Sequence, residues 1–151
     1  MQIISYNEDL KNQVITFAQN IWTELDKTWE PEGIDKDFFD IFTIYQKSGG
    51  EFWVVLDGKK IIGTIALKPL NKIDVELKRF YVDVAYRGKG IGQQLITQAI
   101  IVAKEKGFKT IKLDTSKKLA QAHSLFRKIG FKEIDPYLDN NKSDTFMELV
   151  L

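Results

Sequence analysis

The chain has 151 residues, 44% of them hydrophobic and 12% aromatic, a size and composition typical of one domain with one substantial core, here residues 1–151. The absence of cysteine excludes disulfides and thiolate metal sites, a single histidine argues against a protein-built zinc site, and a net charge of +1 with basic residues dispersed among acidic ones disfavours nucleic-acid binding. No stretch has the length and apolarity of a membrane span and the N-terminus lacks the pattern of a secretion signal, so we expect a soluble cytoplasmic protein with no membrane partner.

The first third of the chain predicts a strand followed by two helices. Residues 2–6 alternate like a strand, and Asn7 can cap a helix that ends near Thr23. The apolar residues of this helix recur at helical spacing and are Leu10, Val14, Phe17, Ala18, Ile21 and Trp22. A loop over residues 26–33 separates it from a second predicted helix over residues 35–45.

Three strands then form a predicted meander. Residues 51–56 and 60–67 are separated by Asp57-Gly58, a dipeptide suited to a tight hairpin turn, so we expect them to pair antiparallel. Residues 75–82 form the third strand. Strict alternation along it would place Val75, Leu77, Arg79 and Tyr81 on one face and Glu76, Lys78, Phe80 and Val82 on the other.

Helices and strands alternate in the rest of the chain. An amphipathic helix begins after Gly90 and should end at Gly107, and residues 110–114 read as a strand that a helical crossover would place parallel to its neighbour. A further helix ends at Gly130.

Two terminal strands complete the pattern. Residues 131–134 and 146–151 flank a polar loop over residues 135–145, and the last strand is expected at the edge of the sheet, where a second copy could pair. The element order β-α-α-β-β-β-α-β-α-β-β predicts an α/β (α+β) fold with a mixed, mostly antiparallel sheet of about seven strands and helices on both faces.

Residues 87–92, with the sequence Arg-Gly-Lys-Gly-Ile-Gly, connect a predicted strand to a predicted helix. Glycines allow close approach of a ligand, and the first N–H groups of a helix lack intrahelical partners and lie at the positive end of its dipole. Arg87 and Lys89 add full charges. The segment therefore predicts an anion site, the alternative being a turn that merely starts a helix. A dinucleotide motif would need glycine in place of Gln93, and a nucleoside-triphosphate loop would need Ser or Thr in place of Gly90.

In this context the segment resembles the pyrophosphate loop of the GNAT superfamily, the acyl-CoA-dependent N-acyltransferases. The resemblance extends through residues 77–82 before the loop and 122–131 after it, and it implies acetyl-CoA as the acyl donor, without a metal. It places the pantetheine arm between two splayed strands and the pyrophosphate on the N–H groups of the loop. The residues that it assigns to acetyl-CoA binding are Phe80, Tyr81, Val82, Arg87, Gly88, Lys89, Gly90, Ile91, Gly92 and Phe126.

The resemblance also suggests catalytic residues. Acyl transfer to an amine requires a deprotonated amine, a polarised carbonyl and a stabilised leaving thiolate. Glu76 is the candidate base, since several family members use a carboxylate near this point, although it could equally be paired with Lys78. Many members have tyrosine where this chain has Phe126, which cannot donate a proton. Tyr137 is the substitute candidate for the general acid, or else an aromatic that packs at the edge of the site.

Residues of the acceptor side are less clearly marked. Trp29, Glu30 and Glu32 could line an acceptor pocket, or the indole could clamp its loop. His123, the only imidazole, is either a packing residue or a base.

Residues 1–58 carry four lysines against eleven acidic residues, a balance of −7, and residues 59–151 carry eighteen basic against ten acidic residues, a balance of +8. An acidic N-terminal part would attract a cationic amine, unless these charges are simply solvated.

The sequence thus predicts an N-acetyltransferase that moves an acetyl group from acetyl-CoA to a primary amine, of a small molecule or a peptide, without a covalent enzyme intermediate. The alternative is a CoA-binding sensor or partner domain that has lost turnover, which Phe126 in place of tyrosine would explain. A homodimer is frequent among similar proteins.

Overall fold

The computed structural model describes residues 1–139 and 143–151. Residues 140–142, part of the polar loop predicted over residues 135–145, lie outside this description. Over the described residues the strands are β1 (Gln2–Ser5), β2 (Glu51–Asp57), β3 (Lys60–Pro69), β4 (Asp74–Val82), β5 (Thr110–Thr115), β6 (Lys132–Ile134) and β7 (Thr145–Val150). The α-helices are α1 (Lys11–Glu24), α2 (Ile91–Glu105) and α3 (Ala120–Ile129).

The seven strands of the described residues form one sheet in the order β1-β2-β3-β4-β5-β7-β6. Only β4 and β5 pair in parallel; the other neighbours pair antiparallel, as the hairpin turn and the helical crossover predicted. The predicted mixed, mostly antiparallel α/β fold is therefore confirmed.

Two apolar clusters lie on opposite faces of the sheet. One contains the buried face of α1, whose members include Val14, Phe17 and Trp22. The other contains the buried residues of α2 and α3, among them Leu95 and Phe126. Helices cover both faces, and the spacing of apolar residues along α1 and α2 correctly marks their buried sides.

The prediction of a second helix over residues 35–45 is wrong. The chain instead makes a 3-10 turn at Lys36–Phe39, which ends at a non-helical Asp40, and a π-helical turn at Phe42–Gln46. Asp35 and Asp37 are both buried and both bind Arg79. Residues two apart do not share one face of an α-helix, so this shared contact favours the tighter, irregular turns.

The sequence predicted that the last strand lies at the edge of the sheet, and this prediction is wrong. β7 pairs with β5 on one side and with β6 on the other. Because β6 has three residues, it pairs only with Phe146–Glu148 of β7, and it is β6 itself that forms this edge.

The central strand β4 carries a β-bulge. Ile65 of β3 lies opposite two residues of β4, Arg79 and Phe80. Arg79 has a φ of +54°, in the left-handed region that is strained for residues other than glycine. The carbonyl of Arg79 accepts a hydrogen bond of 2.7 Å from the buried hydroxyl of Thr64. Thr64 of β3 thus donates a hydrogen bond to a backbone carbonyl that the bulge removes from the regular hydrogen-bond ladder of the sheet.

The bulge exchanges the two faces of β4, so the strict alternation predicted from the sequence is wrong beyond Lys78. Phe80 and Val82 pack into the same cluster as Val75 and Leu77, on the side of α2 and α3. Tyr81 packs into the opposite cluster, where the guanidinium of Arg79 lies against the rings of Trp22 and Phe38.

We expect Thr64→Val to destabilise the protein by about 1–3 kcal/mol, because the carbonyl of Arg79 would lose its donor in a largely buried place. Urea unfolding followed by circular dichroism measures this free energy. Thr23→Val is the matched control, since the Thr23 hydroxyl donates to Gln19 on the exposed side of α1 and its loss should change stability by at most about 0.5 kcal/mol. Equal losses in the two variants would show that the bulge does not depend on this hydroxyl.

Candidate active site

A groove opens where β4 and β5 separate. Their parallel pairing runs from Asp74–Thr110 to Glu76–Lys112 and stops there. β4 continues to Val82 without a strand beside it on that side in the described chain. The resulting groove has a volume of about 660 Å³ and is lined by β4, the end of β5, the start of α3 and part of the segment after α1. This is the splayed gap expected for a pantetheine arm.

The glycine loop leads from β4 into α2 and leaves open space before the helix. Gly88 and Gly90 have φ values of +77° and +83°, and a Cβ atom on either would meet no atom within 4 Å. Gly90 is the N-cap residue of α2. Their backbone conformation, rather than crowding, calls for glycine. Space is therefore open beside the residues that precede α2, and the first N–H groups of a helix have no intrahelical partners.

Gly92 has a different role in the same loop. A Cβ atom here would lie 3.1 Å from Cζ of Phe80 and 3.2 Å from Cδ2 of Leu125. The first turn of α2 is thus packed closely against β4 and α3, and this contact fixes the helix N-terminus beside the groove.

The two basic residues of the loop differ in their partners. Both terminal nitrogens of Arg87 bind the carboxylate of Glu24, at the end of α1, and Nε donates to the carbonyl of Val82 at 2.9 Å. Arg87, expected from the sequence to face an anion, is thus bound to α1 here. The ammonium of Lys89 lies 5.3 Å from the ring centre of Tyr86.

The two predicted catalytic residues lie together. The hydroxyl of Tyr137 donates to Oε2 of Glu76 at 2.6 Å, and Nζ of Lys78 lies 3.4 Å from the other oxygen of this carboxylate. Glu76 is only 3% exposed and marks the point at which β4 and β5 separate. Its carboxylate is therefore held by one phenol and one ammonium at the point where the two strands separate.

The environment of Tyr137 keeps its phenol protonated. Burial, the hydrogen bond to Glu76 and the negative charge of Glu76 raise the pKa of Tyr137 far above its ordinary value. The ring packs edge-on against Phe146, with centroids 5.6 Å apart, and Nζ of Lys112 lies 5.6 Å from its centre. At neutral pH the phenol is a hydrogen-bond donor aimed at Glu76.

Phe126 is 3% exposed and lines the groove from α3. Its ring centre lies 5.6 Å from that of Phe80 and 5.5 Å from that of Phe131. The residue joins the floor of the groove to the core and supplies apolar surface there.

The predicted acceptor-side residues are separated in space. Glu30 lines the groove, whereas Trp29 packs against Trp22 and Phe38, as the clamp interpretation of this indole predicted. Glu32 is exposed. His123 is buried in α3, and among the described residues its Nε2 has no hydrogen-bond partner. The structure thus brings Glu30 to the groove and places His123 among packing residues.

Sequence reasoning missed Arg79, Asp35 and Asp114, all of which line the groove. Oδ2 of Asp114 accepts a hydrogen bond of 2.6 Å from Ser143. A signal for Arg79 was present, since strict alternation placed an arginine on the apolar face of Val75 and Leu77. A charged residue in that position conflicts with a regular strand, and the bulge removes this conflict by re-aiming the side chain.

Comparison with known proteins agrees with this geometry. Residues 17–131 match the Acetyltransferase (GNAT) family. The chain belongs to this family. It is 33% identical over 104 residues to the "Uncharacterized N-acetyltransferase YjgM" of Escherichia coli (strain K12), an alignment that covers 67% of this chain and 62% of that protein. The chain thus spans less than two thirds of the length of this curated relative.

Solved GNAT structures share the fold. A GNAT acetyltransferase from Staphylococcus aureus Mu50 superposes with a TM-score of 0.90 at 30% identity and covers 97% of this chain and 96% of its own. A GNAT acetyltransferase from Elizabethkingia anophelis, solved with acetyl-CoA bound, gives a TM-score of 0.60 at 24% identity over 74% of this chain and 82% of its own. The predicted GNAT fold is confirmed.

Two other kinds of site are absent from the described residues. No helix among them is long and apolar enough to cross a bilayer. No group of three or more His, Cys, Asp or Glu side chains among residues 1–139 and 143–151 is arranged to hold a metal ion.

Proposed function

We propose that this protein transfers an acetyl group from acetyl-CoA to a primary amine by direct attack of the amine, without a covalent enzyme intermediate. The observation that carries the proposal is the arrangement along β4: a buried carboxylate where β4 and β5 separate, a groove lined by residues 77–81, and a glycine loop whose Gly92 packs against Phe80 of this groove. Family membership supports the same reaction class.

The residues present fit acetyl-CoA. The first turn of α2 offers N–H groups to a diphosphate in the space before Gly88 and Gly90, where even a methyl group would touch nothing. The exposed edge of β4 from Phe80 to Val82 offers main-chain groups to the amides of a pantetheine arm. When bound, acetyl-CoA supplies the acyl group and a thiol leaving group.

In this proposal Glu76 is the general base. Its carboxylate lies where β4 and β5 separate, 3.4 Å from Lys78 of the groove lining, and in this proposal it takes a proton from the ammonium form of the acceptor, directly or through one water. Lys78 and Tyr137 hold the two carboxylate oxygens and so limit the directions in which Glu76 can accept a proton.

The hydrogen bond to Glu76 favours an orienting role for Tyr137 over the general-acid role expected from the sequence. A general acid must release its proton to the leaving thiolate, and the raised pKa of Tyr137 opposes that release. In the orienting role the phenol keeps its proton and fixes Glu76. The thiolate is then stabilised by backbone N–H groups and solvent near Phe126.

The ion pairs of the structure weaken the argument, made from the uneven charge of the sequence, that the acceptor is cationic. Of the eleven acidic residues in the first 58, Glu24 is paired with Arg87, and Asp35 and Asp37 are paired with Arg79. These three charges do not act on an acceptor at full strength. We therefore propose a primary amine as the acceptor class, and amines of graded charge measure which net charge the protein prefers.

Thiol release tests the proposed function. Acetyl-CoA is incubated with the protein and a library of primary amines of graded charge, and free CoA thiol is measured. We expect amine-dependent release and a product heavier than the acceptor by one acetyl group. Tight CoA binding by calorimetry without thiol release from any amine would contradict the enzyme proposal and favour the sensor alternative.

Gly90→Ala tests the anion site. Alanine at a φ of +83° should cost about 1 kcal/mol of stability and disturb the first-turn N–H groups, so we expect the Kd for CoA to rise by about 10-fold or more. Gly107→Ala is the matched control, because Gly107 has a φ of +87° and similarly open surroundings at the other end of α2. It should lose similar stability with an unchanged Kd. Equal changes in Kd would place the anion elsewhere.

Glu76→Gln and Tyr137→Phe separate the two roles of Tyr137. We expect Glu76→Gln to lower kcat by about 10²–10⁴-fold, as for loss of a general base. If Tyr137 acts through Glu76, the double variant should be no slower than Glu76→Gln alone, because the two changes remove one function. Multiplying defects would instead show that Tyr137 is an independent acid. Tyr86→Phe, which removes a phenol bonded to Asp57, is the control and should leave kcat unchanged.

A further inference from the structure

The side chain of Arg79 connects β4 to the segment that follows α1. Its Nε and Nη2 bind the two oxygens of Asp37 at 2.9 and 2.6 Å, and Nη2 also donates to the carbonyl of Ile34 at 2.8 Å. Nη1 lies 3.4 Å from Oδ1 of Asp35. The guanidinium stacks 4.5 Å from the ring centre of Phe38. One side chain of the central strand therefore holds four residues of this segment.

Asp35 extends the connection along the same segment. Its Oδ2 accepts hydrogen bonds from Nε1 of Trp22 at 3.2 Å and from the backbone N–H of Glu30 at 2.9 Å. Asp35 is fully buried, and the side chain of Arg79 is 9% exposed. Residues 30–37 thus depend for their position on a buried ion-pair network rather than on a regular helix.

This segment forms a wall of the groove. Glu30, Ile34 and Asp35 line it, as does Arg79 itself. The opposite wall comes from β5 and α3. The glycine loop lies at a different place, after the end of β4, and its contacts run to Glu24 and Val82 rather than to residues 30–37. The wall and the loop are therefore anchored separately.

The backbone of Arg79 indicates that its side chain is needed. A bulge position with a φ of +54° favours glycine, yet this chain has arginine there. Strained backbone that persists in a groove points to a function for the residue. The carbonyl of Arg79 is held separately by Thr64, so the bulge has an anchor of its own.

We propose that Arg79 is a positioning residue for the amine acceptor: it fixes residues 30–37 against the bulge of β4. In this proposal the wall that these residues form contacts the acceptor, and Arg79 thus sets the distance between that wall and Glu76. This inference rests on the proposed function, and it concerns which half of the site Arg79 controls. We expect the binding of acetyl-CoA to be nearly independent of Arg79.

Arg79→Lys tests the inference in the full chain. Lysine keeps the charge but cannot bind both oxygens of Asp37, Asp35 and the carbonyl of Ile34 at once. With an amine that the wild type acetylates, we expect KM for the amine to rise by about 10-fold or more and KM for acetyl-CoA to stay within about 2-fold. Calorimetry should give an unchanged Kd for CoA. Asp37→Asn should act in the same direction, and the double variant should be no worse than Arg79→Lys.

A second measurement does not depend on turnover. Trypsin cleavage after Lys27 and Lys36, which flank residues 30–35, should be faster in Arg79→Lys than in the wild type. Arg127→Lys is the matched control, because Arg127 forms an exposed pair with Glu133 at 3.5 Å. It should change neither the cleavage rate nor either KM.

Several results would overturn the inference. These are an unchanged amine KM, equal rises in both KM values, or cleavage rates no faster than in the control. A failure of the proposed function would be seen in the wild type as absence of thiol release with every amine, whereas a failure of this inference is seen only in the Arg79 and Asp37 variants.

Discussion

The one-residue bulge at Arg79 is the constraint on which the arrangement of this protein depends. β4 lies between β3 and β5, so its side chains must serve both layers of the molecule. Without the extra residue, Arg79 would point into the apolar cluster under α2, and Phe80 would leave it. The bulge places Phe80 beneath the first turn of α2, where it contacts the site of Gly92, and turns the guanidinium toward α1. One backbone irregularity thus sets both the floor of the glycine loop and the wall of the groove.

The charges buried beside the bulge depend on one another for their partners. Burial disfavours the charged form of Arg79, but the hydrogen bonds and charge of Asp37 outweigh this and raise the pKa of the guanidinium. Burial also raises the pKa of Tyr45, whose hydroxyl donates to Asp37 and adds to the partners of that carboxylate. Buried ion pairs often add little net stability over apolar packing, yet removing one partner is costly. Such a network disfavours other positions of residues 30–37 and so defines a single shape for the groove.

Local sequence was sufficient for much of the fold and for the glycine loop. The hairpin at Gly58, the apolar face of α2 and the crossover to β5 each depend on neighbouring residues. The errors all depend on distant partners. The helix predicted over residues 35–45 is broken by contacts to Arg79, 42 residues or more away, and the face of Phe80 depends on the register with β3. Glu76 and Tyr137 were each chosen from the sequence, but a hydrogen bond between residues 61 apart could not be read from it.

The uneven charge along the chain has a structural explanation that does not require a ligand. Acidic groups of the first 58 residues meet partners from the second part of the chain: Glu24 binds Arg87, Asp35 and Asp37 bind Arg79, and Asp57 accepts from Tyr86. Part of the balance of −7 therefore lies at an internal interface between α1 with its following segment and the strand and loop of the candidate site. Acidic residues that pair inside the protein contribute less to the attraction of a cationic ligand than their count suggests. The field at the groove comes from the few charges that line it, among them Glu30, Lys78 and Asp114.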